Sequence, residues 1–181
     1  AYWQAQVGAL PQLSSVTPNA AVPGDVISLS GLHLDGTSAV RFNGLAAEFT
    51  VVSDQLVHAT VPPGAHSGPI EIVTPFGNAT SPGSFIVAPV IETFLPRQAP
   101  PGTEVLVRGY NLQDVVGVKF GNVSAVYQIL SDTELRTTVP SGAVDGPISA
   151  TNAAATGISL TPFHVGPVAG VLNLAWDDCG R

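Results

Sequence analysis

Residues 16–34, VTPNAAVPGDVISLSGLHL, with VRFNG at 40–44, return as FLPRQAPPGTEVLVRGYNL at 94–112 and VKFGN at 118–122. In each copy a Pro-Gly pair (Pro23-Gly24, Pro101-Gly102) opens a run in which apolar residues tend to alternate with polar ones up to Gly31 or Gly109. That alternation is the period of a half-buried β-strand, and Pro-Gly is a turn former. Working outward from this pair, a slide of 78 positions lays residues 11–87 on 89–165 without a gap, and 23 of the 77 pairs are identical. The identities include Gly31/Gly109, Leu34/Leu112, Phe42/Phe120, Ser53-Asp54/Ser131-Asp132, Gly68-Pro69-Ile70/Gly146-Pro147-Ile148 and Phe85/Phe163.

A repeat of about 80 residues is longer than the units of solenoids, which cannot bury a core alone, and suits a small sandwich with a core of its own. In the first repeat the strand-like runs are 12–16, 25–30, 39–42, 46–52, 55–61, 69–74 and 84–87. Seven short strands with turns between them predict an all-β chain of two tandem immunoglobulin-like β-sandwiches. The expected organisation is an N-terminal extension strand over 1–10, a first domain over 11–88, a second over 89–166 and a C-terminal extension strand over 167–181. Proline at the Ala88-Pro89 joint stiffens the passage between domains.

Composition agrees with this reading. Of the 181 residues 45% are apolar and only 10% charged, with 19 Gly and 16 Pro, a balance rich in turn formers and poor in helix formers. The net charge of −7 with six Lys and Arg leaves no basic stripe to neutralise phosphates, which excludes nucleic acid as the expected partner. The longest apolar runs, such as 85–91, are too short to span a bilayer, so no membrane insertion is expected. Because the chain holds no Met, Ala1 is expected to follow a cleavage or an excision. The lone Cys179 is expected to be a free thiol or half of a bridge to residues outside the chain.

Order of motifs then suggests a family. Pro-x-x-Ala-x-Pro-Gly, a strand ending in Gly, Val-x-Phe, Ser-Asp, Thr-Val-Pro, Gly-Pro-Ile and a final Phe-x-Val follow one another in both copies. That succession, over residues 11–165, resembles the IPT/TIG family of immunoglobulin-like domains. The resemblance implies a fold with several functions open. Members serve in bacterial surface and secreted proteins, as accessory modules of polysaccharide-processing enzymes, in animal receptors and in transcription factors. Without the cysteines of the receptors or the basic loops of the DNA-binding members, the chain fits the bacterial surface use best.

A tandem copy also sorts motifs, since residues kept in both repeats report the shared backbone. Ser53-Asp54 and Ser131-Asp132 are therefore expected at turns rather than in a nucleophilic pair. No Gly-x-Ser-x-Gly elbow, no His-Glu-x-x-His spacing and no phosphate-cradling Gly loop occurs, so catalytic, metal and cofactor residues are all expected to be none. His33, His58, His66 and His164 have no His at the matching position of the other repeat. Arg41 and Lys119 match and are expected on a wet strand face.

Partners are expected at the ends. Tyr2 and Trp3, and Val171, Leu172, Leu174 and Trp176, lie in aromatic-bearing segments that suit an open sheet edge. The expected function is a non-enzymatic structural or adhesive module of a secreted or cell-surface protein, bacterial in origin. In that role it links neighbouring modules or other copies of itself into an array or filament through its terminal strands. The alternative is a carbohydrate-binding accessory module whose polysaccharide stacks on an exposed aromatic. There Tyr110, expected in a loop, is the candidate, because Tyr127 matches Phe49 and should face the core.

Overall fold

The computed structural model describes residues 8–167, and every regular element in that span is a strand. The alternation read in the sequence becomes an alternation in burial. In the strand Val26–Leu32, Ile27 and Leu29 are buried while Val26 is exposed, and in Glu104–Tyr110 the same holds for Val105 and Val107 against Glu104.

In the first sandwich the strands are β1 (Gln12–Thr17), β2 (Ala20–Ala21), β3 (Val26–Leu32), β4 (Ala39–Phe42), β5 (Leu45–Ala47), β6 (Phe49–Ser53), β7 (Leu56–Thr60), β8 (Ile70–Thr74), β9 (Gly77–Thr80) and β10 (Ile86–Val87). They form one sheet in the order β1-β3-β7-β6 and a second in the order β5-β4-β8-β9, with β10 lying parallel to β2. The second sandwich has β11 (Val90–Leu95), β12 (Gln98–Ala99), β13 (Glu104–Tyr110), β14 (Gly117–Phe120), β15 (Val123–Ala125), β16 (Tyr127–Ile129), β17 (Glu134–Thr138), β18 (Gly146–Thr151) and β19 (Thr156–Val165). Its sheets run β11-β13-β17-β16 and β12-β19-β18-β14-β15. The long β19 does in one strand what β9 and β10 do in two.

One expected run comes out differently, and two short strands, β2 and β9, lie outside the expected runs. The single run 46–52 is cut at Glu48 into β5 and β6, which belong to different sheets. Ala47 and Phe49 both still reach the core, one from each sheet, so the period survives while the partner changes. The strand β9 went unseen because Gly77-Asn78-Ala79-Thr80 reads as turn chemistry. It pairs with its neighbour in sequence, β8, to which it returns through a tight turn closed by the Thr74 hydroxyl on the Gly77 carbonyl, 3.0 Å.

The cores are separate. One is built from residues of the first repeat, with Phe42 against Phe85 edge to face at 5.3 Å between ring centroids. The other gathers Phe94, Phe120 and Phe163, with Phe120 on Phe163 at 4.9 Å. No residue belongs to both. Each fully buried Phe stabilises its sandwich by about 1.5–3 kcal/mol through apolar area removed from water.

The repeated Gly31 and Gly109 have a backbone reason. Both face a bulge in the neighbouring strand, and a Cβ on Gly31 would lie 1.9 Å from the Gln12 carbonyl oxygen, on Gly109 1.8 Å from that of Val90. Only a residue without a side chain lets these strands approach so closely.

Candidate functional site

Two buried polar side chains of the second sandwich, Asn111 and Asn152, reach across to the backbone of the first. Tyr110 ends β13, and Asn111 follows with φ of 58°, in the left-handed region that Asn tolerates better than most side chains. That turn aims the Asn111 amide out of its own sandwich and at the first one. Its Oδ1 accepts from the Ser67 N–H at 2.8 Å, and its Nδ2 donates to the carbonyls of Ala65 at 3.2 Å and Ala88 at 3.1 Å. The side chain is 2% exposed, so both ends of a buried amide are satisfied across the joint, as burial demands.

Asn152 acts beside it. Its Oδ1 caps its own turn by accepting from the Ala154 and Ala155 N–H groups at 2.9 and 3.2 Å, leaving Nδ2 to donate to the Val87 carbonyl at 2.8 Å. At the rim, the His66 ring stands edge-on to Tyr110, centroids 5.1 Å apart, with Nδ1 3.7 Å from an Asp132 carboxylate oxygen. Both side chains are open to water, so this pair adds at most about 1 kcal/mol. A cleft of about 330 Å³ remains beside the joint, lined by Pro23, Ala65, His66, Val90, Tyr110 and Asn111 among others.

The sheet order repeats, the cores repeat, and the model of the IPT/TIG domain matches residues 11–85 and again 89–165. The chain belongs to the IPT/TIG family. Among solved structures, this IPT/TIG pair is similar to one crystallised with xylogluco-oligosaccharide: 21% identity, 86% of this chain, 41% of that one, TM-score 0.46. It is also similar to a surface glycan-binding protein from Prevotella bryantii, at 18% identity over 87% of this chain and 43% of the other, TM-score 0.44. The extracellular region of plexin A4 matches at 21% identity over 87% of this chain and 18% of its own, TM-score 0.43. The chain thus spans less than half the length of each. Among curated protein sequences none matches it. With all three TM-scores below 0.5, family membership rests on the sequence model and the sheet order.

In the IPT/TIG pair the sequence-derived candidates fall as follows. Tyr2, Trp3, Val171, Leu172, Leu174, Trp176 and Cys179 lie outside the described residues. Tyr110 closes a strand rather than sitting in a loop, because the alternation of β13 carries on through it, and it is 38% exposed on the cleft. Tyr127 packs against the second core and donates its hydroxyl to the Val115 carbonyl at 3.1 Å. Ser53 and Ser131 each accept a backbone N–H two residues on, at 3.2 and 3.1 Å, which is the expected turn. Lys119 is exposed, whereas Arg41 reaches Glu71 at 3.2 Å; the residue matching Glu71 is Ser149, which explains the difference.

Three of the four histidines stand beside an aspartate: His33 with Asp54, His66 with Asp132 and His164 with Asp145. In the last pair Nδ1 is 2.8 Å from the carboxylate, whose other oxygen accepts the Val165 N–H at 2.7 Å. The His164 hydrogen bond first, and the Val165 N–H second, hold the Asp145 carboxyl below its ordinary 3.8. No group of three or more His, Cys, Asp or Glu among the described residues is placed to hold a metal ion.

Sequence reasoning passed over Asn111 and Asn152. The signal was present, because Asn111 matches His33 and Asn152 matches Thr74. Positions that differ between the copies are where a task peculiar to one copy appears.

Proposed function

We propose that the two IPT/TIG domains serve as a non-enzymatic structural spacer of an extracellular or cell-surface protein, holding what lies on either side at a set relative orientation. The observation that carries this reading is the Asn111 amide, buried to 2% and spent wholly on the neighbouring domain. A flexible pair has no use for a buried polar group that is satisfied only when the domains touch, since leaving it unpaired costs about 1–3 kcal/mol. Bacterial origin and an adhesive duty belong to the same proposal, supported by the family and by the lack of basic loops. Residual dipolar couplings on the intact chain test it. One alignment tensor common to both domains is expected, and two independent tensors would overturn the reading.

The alternative, a polysaccharide-binding module, has one observation in its favour. Tyr110 presents part of its ring to a cleft already lined by His66 and Pro23, and sugar rings stack on such faces. A polysaccharide pull-down with Tyr110→Ala as control decides it: retention by the native chain and loss in the variant support it, and no retention removes it.

A further inference from the structure

Asn43 and Gly44 make the two-residue turn from β4 to β5, with Phe42 opposite Leu45 and φ of 45° and 89°, both left-handed as a tight hairpin of this kind requires. The hairpin accounts for the residue types but not for their order. In the second domain the matching turn sets Phe120 opposite Val123 around Gly121-Asn122, the same pair reversed. The order in the first domain puts a side chain at a position where the second domain has none. The Asn43 amide packs over Gly68, on which a Cβ would come 2.6 Å from its Cγ, and its Nδ2 donates to the Ser67 carbonyl at 3.1 Å. Ser67 is also the residue that Asn111 holds across the joint. Its N–H donates to Asn111 Oδ1 at 2.8 Å and its hydroxyl accepts the Val87 N–H at 3.0 Å, so Asn43 anchors from behind the loop that Asn111 grips in front.

The same order carries a chemical weakness. Asn is a thermolabile residue. Its amide is lost when the backbone nitrogen of the next residue attacks Cγ, and a side chain on that next residue hinders the approach. Of the seven Asn in the chain, six are followed by Ala, Leu or Val, and Asn43 alone by Gly. Asn43 is exposed, and a Cβ on Gly44 would meet nothing within 4 Å, so the backbone has room to turn and water has access. We propose that Asn43 is a site of spontaneous hydrolytic deamidation, and that its loss loosens the joint as the molecule ages. The bond from Gly44 N to Asn43 Cγ forms and Cγ–Nδ2 breaks; the Gly44 N–H proton leaves with the nitrogen as ammonia, giving a cyclic imide. Water then opens one of the two C–N bonds of the imide, yielding aspartate or its β-linked isomer, with nothing oxidised or reduced. Either product lacks the Nδ2 donor and brings a negative charge beside the Ser67 carbonyl, an acceptor left facing acceptors. The amide does not re-form, so the change runs one way. This names a regulation of the spacer, and it rests on that reading in taking the joint as held shut through Ser67 and Asn111.

The test ages the full native chain at mildly alkaline pH and body temperature, then maps amide-to-acid mass gains by tandem mass spectrometry. Conversion at Asn43 should outrun that at the exposed Asn19, Asn78 and Asn122. The converted chain, separated by its extra charge, should show Ser67 N–H exchange about fivefold faster than the fresh chain, the equivalent of one hydrogen bond. Asn43→Asp should reproduce that rate without ageing, with a thermal melt to check its fold; the aged chain gives the same measurement on protein that folded with the amide in place. Conversion at Asn43 no faster than at the other three overturns the inference, and so does unchanged Ser67 exchange in the converted chain. Independent alignment of the two domains in fresh protein would sink the spacer reading whatever happens at Asn43, so the two failures are distinguishable.

Discussion

Asn111→Gly should open the joint without disturbing either sandwich. Glycine takes the φ of 58° at this position without strain, so the substitution removes the amide and leaves the turn. Three hydrogen bonds to Ser67, Ala65 and Ala88 are lost. At about 1 kcal/mol net for each, the closed joint loses about 3 kcal/mol relative to the open one. With a factor of ten for every 1.4 kcal/mol, the open population rises about a hundredfold. The Ser67 amide reports this directly, since it is bonded to the side chain removed. Its hydrogen exchange by NMR should accelerate about a hundredfold, while amides in the middle of β3 and β7 keep their rates. Asn111→Ala should open the joint equally and cost about 1 kcal/mol more in overall stability, from the left-handed backbone. Unchanged exchange at Ser67 in the Gly variant would refute the claim that this amide holds the domains together.

Gly109→Ala should destabilise the second sandwich by several kcal/mol in urea unfolding, because the new methyl meets the Val90 carbonyl oxygen at 1.8 Å and only backbone movement relieves it. Phe163→Ala, which empties the ring site between Phe94 and Phe120, should cost the second domain about 3–5 kcal/mol. The first domain should keep its own transition; a shared loss in both would mean the cores are not independent. His164→Ala should raise the Asp145 pKa toward 3.8, read by NMR titration. The native Asp145 pKa is depressed, so its contribution to stability is present above the unfolded value near 3.8 and is lost as pH falls below that through the folded value. The variant should show a weaker acid dependence over that window.

The architecture was readable from the chain wherever the physics is local. Alternation gave β3, β4, β7 and β8, and the shift by 78 residues gave the two-sandwich plan, because both depend on spacing alone. What escaped is what the alternation of single residues does not show: a change of sheet, a hairpin strand made of turn-forming residues, and contacts across the joint. Glu48 marks a change of sheet that no local pattern announces, and β9 is a strand only because β8 offers it an edge. Asn111 and Asn152 are ordinary polar residues until the Ala65–Ala88 backbone is brought beside them. Comparing the copies for their differences rather than their identities would have singled them out.

Two cores without a common residue also govern how the chain carries load. Tension along the backbone is borne by the sandwiches in series, and the weaker one can rupture while its neighbour stands. A ruptured repeat of 77 aligned residues would pay out roughly 270 Å of extended chain. A tether made this way lengthens in steps under strain before it parts, and it recoils one sandwich at a time when the pull ends.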